Sequence, residues 1–216
     1  MSLPAPAQTG KFITFEGGEG VGKSTQLKRL VAALEAAGIR CIATREPGGA
    51  PAAEEIRRLL VEGTVERWQP MSEVLLHNAA RIEHLKATVH PALDAGTWVV
   101  CDRFTDSTLA YQGFGHGIDT SAISNLHWLL YRDFKPDLTL ILDMDLDAGL
   151  ARAGERAGSE DRYERMGHAF HERLRGGFLE IARVEPERCV VIDARGDVET
   201  VHGRVMAAVS DRLQIL

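Results

Sequence analysis

The residues Gly17-Gly18-Glu19-Gly20-Val21-Gly22-Lys23-Ser24 fit the pattern GxxxxGK[ST]. They follow the apolar run KFITFE (11–16) and open the helix-period segment TQLKRLVAALEAA. In that setting the backbone N–H groups of a glycine-rich turn can all point inward around a phosphate, because residues without large side chains let the chain curl tightly. The N-terminus of the following helix adds a partial positive charge. Lys23 is then expected to reach the β- and γ-phosphates and the Ser24 hydroxyl to ligate Mg²⁺, with Thr25 next on the same helical turn. Such a loop binds ATP or GTP and leaves open what is done with it.

Further charges cluster at the ends of two other apolar runs. Asp102 ends TWVVCD, where a carboxylate can hold Mg²⁺ or its water, or can cap the next helix. Arg103 follows it directly, and Arg45-Glu46-Pro47-Gly48-Gly49 follows the run IRCIAT. In a doubly wound sheet these loops open on the same edge as the phosphate cradle, so two guanidinium forks face a second anion. An acceptor that is water has no need of them; a phosphorylated acceptor does. None of Gly18, Glu19, Gly20 and Val21 is basic, so the positive charge that phosphoryl transfer demands must come from elsewhere. Arg152 and Arg156 lie four apart and share a helix face, which suits a pair swinging over ATP or, equally, a solvated helix end.

The elements that must position these residues alternate. Apolar, β-branched runs recur at 11–16, 39–44, 97–102, 137–143 and 188–193, and helix-period segments lie at 23–37, 53–62, 71–95, 120–132, 147–157, 163–184 and 197–213. This order implies right-handed crossovers and an α/β fold with a mostly parallel five-stranded sheet covered by helices on both faces. The length of 216 residues suits a single domain over 11–216, preceded by a flexible Pro/Ala-rich tail at 1–10.

A net charge of −6 argues against a nucleic-acid partner, whose phosphate backbone calls for surplus Lys and Arg. No stretch approaches the roughly 18 to 20 apolar residues of a membrane span. Cys41, Cys101 and Cys189 show no metal-ligand spacing and read as buried reduced thiols, which with the absence of a signal-peptide pattern points to the cytoplasm.

The segments FEGGEGVGKSTQ, TREPGG, AARIEHL, DRFTDSTLAYQG, LILDMD and RAGER…DRYE together resemble the thymidylate kinase family over nearly the whole chain. The resemblance implies a three-layer P-loop NTPase fold of the nucleoside monophosphate kinase type, Mg²⁺ as cofactor, ATP as donor, dTMP as acceptor and a homodimer formed through helices beside the sheet. It also implies roles for particular residues. Glu19 touches the acceptor sugar and organises the Mg²⁺–phosphate region; Arg45 and Arg103 hold the acceptor phosphate; Arg81, Thr108 and Gln112 contact the thymine edge; Tyr111 crowds the 2′ side of the sugar. Arg195, in the loop after the last strand, lies near the adenine. Where the family usually stacks a Phe on the base, this chain has His77, which is either a smaller stacking ring or a plain helix His. The segment around 150–162 is similar to the lid of bacterial members that carry the catalytic arginine there. The spacing from Arg156 to Asp161-Arg162-Tyr163 is one residue longer than the likeness leads one to expect.

Two alternatives stay open at this level. A nucleotide-binding switch would carry an NKxD guanine reader, which is absent, and its DxxG would follow the Mg²⁺ strand, whereas here Asp193 to Gly196 follows the last one. A kinase for another nucleoside monophosphate is the nearer rival. If a lid arginine supplies the missing charge, Arg156→Ala lowers kcat by about a hundredfold or more, within reach of the arginine-finger range of ~10³–10⁵, and leaves the acceptor KM nearly unchanged. An unchanged turnover number in steady-state kinetics removes the lid from the chemistry.

Overall fold

A computed structural model describes residues 10–154 and 162–215. Five parallel strands, β1 (Phe12–Glu16), β2 (Cys41–Arg45), β3 (Trp98–Asp102), β4 (Leu138–Asp143) and β5 (Cys189–Asp193), lie in the order β2-β3-β1-β4-β5. Every residue of β1 is buried, whereas the edge strands β2 and β5 are only partly covered. The apolar runs of β1, β3 and β4 are flanked on both sides, whereas that of β5, CVVID, lies at an edge with Val191 exposed. The register places Arg45 beside Asp102 and Phe15 beside Asp102 on the other side, so the ends of β2, β3 and β1 converge at one edge.

Side chains alternate across the sheet with the period of two that strands impose. Ile13, Phe15, Val100, Leu138, Leu140 and Leu142 face helices α1 (Lys23–Ala36) and α9 (Val198–Leu213), meeting Leu27, Leu30, Leu34, Val201, Val205 and Val209. On the other face Ile141 packs against Phe170, Leu174 and Phe178 of α8 (His168–Val184), while Phe12, Val99 and Cys101 pack against Leu85, Val89 and Phe104. The remaining helices are α2 (Pro51–Val61), α3 (Pro70–His84), α4 (His90–Asp94), α5 (Thr105–Thr108), α6 (Thr120–Tyr131) and α7 (Leu146–Gly154).

Three departures from the sequence expectation have local causes. The helical segment 71–95 is not uniform: a π-helical turn at Leu85–Val89 joins α3 to α4. Pro91 has no N–H to give the carbonyl four residues back, so the ladder widens there. Residues 105–115, where no helix was expected, form α5 and a second π-helical stretch, Leu109–Gly115. Its glycines disguise it, yet they serve contact: a Cβ on Gly115 would lie 2.5 Å from the Phe170 ring, so its smallness lets α8 lie close, while Gly113 faces Thr120 and Ile123 of α6. Finally α8 starts at His168 rather than 163, because Gly167 caps it and the Arg162 and Tyr163 side chains are drawn sideways to Glu73. The tail at 1–9, Arg156 and the middle of the expected lid (155–161) lie outside the described residues.

Candidate active site

The loop between β1 and α1 takes its shape from glycines in left-handed conformations. Gly17 has φ 126°, and a Cβ there would sit 2.3 Å from the Leu142 carbonyl oxygen; Gly20 has φ 70°, and a Cβ there would sit 1.8 Å from the Gly149 carbonyl oxygen of α7. Neither position accepts a side chain. Lys23 curls back so that Nζ donates to the carbonyls of Gly18 (2.6 Å) and Gly17 (3.1 Å). Burial and the nearby Arg103 charge pull its pKa down to about 8, against the opposing pull of Glu19 and Asp102. The ammonium is thus poised over the loop with its charge only partly compensated.

Beside the loop, Ser24 Oγ donates to Asp102 Oδ2 at 2.8 Å, while Asp102 Oδ1 is buried with no partner. An orphaned carboxylate oxygen next to a hydroxyl is a donor set that fits Mg²⁺, which uses few protein oxygens and takes the rest from phosphates and water. For the same reason the described residues contain no cluster of three or more His, Cys, Asp or Glu side chains able to hold a metal by themselves.

A cavity of ≈ 220 Å³ opens from this point along the sheet edge. Its wall includes Glu19, Ser24, Arg45, Asp102, Arg103, His77, Tyr111 and Gln112, which the sequence had nominated for two separate nucleotide sites. Arg103 anchors the wall. Its backbone takes φ 73°, unusual for a residue with a side chain, and its N–H donates to Phe15 O at 2.9 Å. The guanidinium then donates to Gly17 O (3.0 Å), Ser107 Oγ (3.1 Å) and Glu19 Oε1 (3.0 Å) and lies over the Tyr111 ring. Burial would lift the Glu19 carboxyl, but the charges of Arg103 and Lys23 and the Tyr111 hydroxyl outweigh it and hold the pKa at about 2. Arg45 is half-exposed and bonded to Glu54 at 3.1 Å. Arg57, Glu46, Ser107, Tyr163 and Glu164 also line the cavity.

The far end is bonded through a buried carboxylate, that of Glu73. His77 Nε2 lies 3.1 Å from the Tyr163 hydroxyl, whose own proton goes to Glu73 Oε2, so His77 is the donor. Burial, reinforced by Arg81, pushes the His77 pKa down to about 3, which leaves a neutral ring. Gln112 Nε2 donates to Glu73 at 2.9 Å and its Oε1 has no partner. Arg81 and Thr108 stand behind the wall rather than in it. Arg81 donates to Glu46 Oε2 (2.6 Å), Phe104 O (3.0 Å) and Thr108 Oγ1 (3.1 Å), with Nη1 left unpaired.

On the other side of the loop a hollow of ≈ 250 Å³ is bounded by Gly20, Gly22, Thr25, Arg152, Ala194 and Gly196. Arg152 thus stands beside the phosphate loop, its Nη1 near Met144 Sδ. Arg195 does not join that wall: its guanidinium is taken up by Asp193 on the surface, at 2.8 and 3.0 Å. Sequence reasoning gave no role to Glu16, Glu46, Glu73, Arg57, Ser107, Tyr163 or Glu164. Glu46 and the 163–164 pair sat inside quoted motifs; Arg57, in the pair Arg57-Arg58, is indistinguishable by type from a solvated helix face.

Fold and site define a phosphate-loop phosphotransferase with a cleft lined by Arg45, Arg57 and Arg103 beside that loop. The family model for thymidylate kinase matches residues 15–205. The chain is 52% identical to the thymidylate kinase of Caulobacter vibrioides over 94% of its own length and 98% of that protein's, and 49% identical to that of Rhizorhabdus wittichii over 94% and 99%. It also superposes on the crystal structure of thymidylate kinase from Ehrlichia chaffeensis with a TM-score of 0.74 and 36% identity, covering 93% of this chain and 99% of that one. The chain belongs to the thymidylate kinase family, and the expected enzyme class and P-loop kinase fold hold.

The wall also makes a pH prediction. Glu16 is fully buried behind it, accepting from Phe104 N (2.7 Å) and Ser107 Oγ (2.5 Å). Burial, then the Asp106 charge, raises its pKa to about 8. A carboxyl with a raised folded pKa stabilises the fold fully below its unfolded value near 4.5, and that contribution is lost as pH climbs through about 8. Glu16→Gln, which can still accept from Phe104 N and donate its NH₂ to Ser107 Oγ, is therefore expected to flatten the fall in Tm between pH 5 and 8.5; calorimetric scans showing the same fall in both proteins contradict this.

Proposed function

We propose that the chain transfers the γ-phosphoryl group of ATP to dTMP, giving ADP and dTDP. The observation that carries this is the position of Arg103: one guanidinium bonds the donor loop at Gly17 and Glu19 while lining the neighbouring cleft. A cation in that place serves an acceptor phosphate held against the donor.

In this reading the donor triphosphate lies in the loop Gly17–Thr25 with its nucleoside over the hollow by Arg152 and Gly196. Lys23 Nζ exchanges its loop carbonyls for phosphate oxygens. Ser24 and Asp102 hold Mg²⁺, which when bound neutralises β- and γ-phosphate charge. Arg45 and Arg103 grip the acceptor phosphate, one of whose oxygens attacks the γ-phosphorus; the bond to the β–γ bridging oxygen breaks and its electron pair leaves with ADP. A phosphate oxygen is already nucleophilic at neutral pH, so no general base is required, and catalysis consists of positioning and charge stabilisation. Arg152, with Arg156, supplies charge to the transferring group from a lid at about 150–162 in a single kinase domain.

The unpaired Gln112 Oε1 and Arg81 Nη1 form a complementary acceptor and donor for the N3–H and O4 of thymine, with the neutral His77 ring against the base and Tyr111 at the sugar. A methyl pocket discriminates by only about 1–3 kcal/mol, so these polar groups carry most of the selection. Exposed Met71, Leu75 and Ile82 on α3 and Trp128 and Leu129 on α6 support a homodimer through those helices. Among the described residues no helix is long and apolar enough to cross a membrane, and Cys41, Cys101 and Cys189 are free, which supports a reducing cytoplasmic setting.

Initial rates of ADP formation with ATP, Mg²⁺ and each of dTMP, dUMP, dCMP, AMP and GMP test this. The highest kcat/KM is expected for dTMP, with dUMP about ten- to a hundredfold lower. ADP formation independent of any monophosphate contradicts the assignment.

A further inference from the structure

The wall of the cleft contains one amide whose orientation the geometry fixes. Gln112 projects from the stretch Leu109–Gly115 with its side chain fully buried, and only one of its two polar ends is used. Which end is used depends on Glu73, in the first turn of α3 and itself fully buried.

Every partner of Glu73 treats it as an acceptor. Gln112 Nε2 donates to Oε2 at 2.9 Å and the Tyr163 hydroxyl to the same oxygen at 3.1 Å; the buried Arg162 guanidinium donates to Oε1. Arg162 cannot turn away, because its other N–H groups are tied to the carbonyls of Thr64 (2.8 Å), Val65 (2.7 Å) and Leu60 (3.3 Å). An amide facing such a carboxylate presents its NH₂ to it, since the reverse would set two acceptors against each other and leave a buried NH₂ unpaired. The carbonyl end is then the one that remains for a ligand.

We propose that Glu73, held by Arg162, is a specificity-determining positioning residue. By locking the Gln112 amide it makes the cleft an acceptor toward ring position 3 of a pyrimidine, admitting thymine and uracil, which carry N–H there, and refusing cytosine, whose N3 is a lone pair. The inference rests on the proposed placement of the base against Gln112. The hydrogen bonds of Glu73 also join that position to Arg162, so base reading and the end of the expected lid share one buried carboxylate.

The test measures kcat/KM for dTMP, dUMP and dCMP with saturating ATP in the full chain and in Glu73→Gln. A Gln at 73 can donate or accept, so Gln112 is free to turn and offer its NH₂ to cytosine. The dTMP to dCMP ratio is expected to fall by about tenfold or more, carried by the KM values of the pyrimidine nucleotides, with dUMP following dTMP and the ATP KM unchanged. Equal losses for dTMP and dCMP, or an unchanged ratio in a protein of normal Tm, overturn the proposal.

A second arm covers misfolding of the single variant. Gln112→Glu sets two carboxylates together and should lose dTMP binding; adding Glu73→Gln restores a donor–acceptor pair with the acceptor facing the base, and should restore both binding and the ratio. No recovery in the double variant overturns the proposal. The N3-methyl derivative of dTMP, tried on the unaltered chain, separates the two levels. If it reacts as well as dTMP, the base does not face Gln112 and the underlying placement fails; if it is refused while Glu73→Gln keeps its ratio, only the role of Glu73 fails.

Discussion

The site depends on one residue held in a conformation that side chains ordinarily avoid. Arg103 occupies the left-handed region directly after β3, at a cost of about 1–3 kcal/mol. Its N–H bond to Phe15, three guanidinium hydrogen bonds and the Tyr111 ring over-determine that conformation. The turn sends the side chain sideways across β1 to the phosphate loop, while the chain itself proceeds into α5. Without it the loop and the cleft would be two hollows on one sheet edge; with it they share a cation.

Buried carboxyl groups form the next layer out. Glu16 fixes Ser107 and the Phe104 amide, Glu46 fixes Arg81 and His84, and Glu73 fixes Gln112 and Tyr163. Each lies out of water, where an unsatisfied carboxylate would be costly, and each is satisfied by the group it orients. Gln112 and Tyr163 of the cleft wall are thereby held by a buried partner. Asp102 Oδ1, Arg81 Nη1 and Gln112 Oε1 are among the buried polar atoms that keep no protein partner.

Much of this was legible in the sequence. The loop Gly17–Ser24 could be read because its chemistry is local: strand, glycines and helix are contiguous, with Lys23 curled onto the Gly17 carbonyl and Ser24 bonded to Asp102. The five strands were visible as apolar runs, since the interior of a parallel sheet permits little else. Residues 105–115 were not, because Gly113 and Gly115 weaken the helical pattern for the sake of tight contact with α6 and α8 respectively. Glu73 and Arg162 escaped for a different reason. They are 89 residues apart, each looks like an ordinary surface charge, and only the folded chain brings them together in a place with no water. Arg195 marks the converse limit, a residue whose likeness by position did not reveal that Asp193 occupies its guanidinium.

The central claim is that two phosphates meet across Arg103. A crystal structure of the protein with dTMP and a non-hydrolysable ATP analogue tests it most directly. The account predicts the dTMP phosphate bonded to Arg103, with an oxygen about 3–3.5 Å from the γ-phosphorus, and the base against Gln112. A dTMP phosphate lying away from Arg103, or a base turned from Gln112 toward solvent, would contradict it.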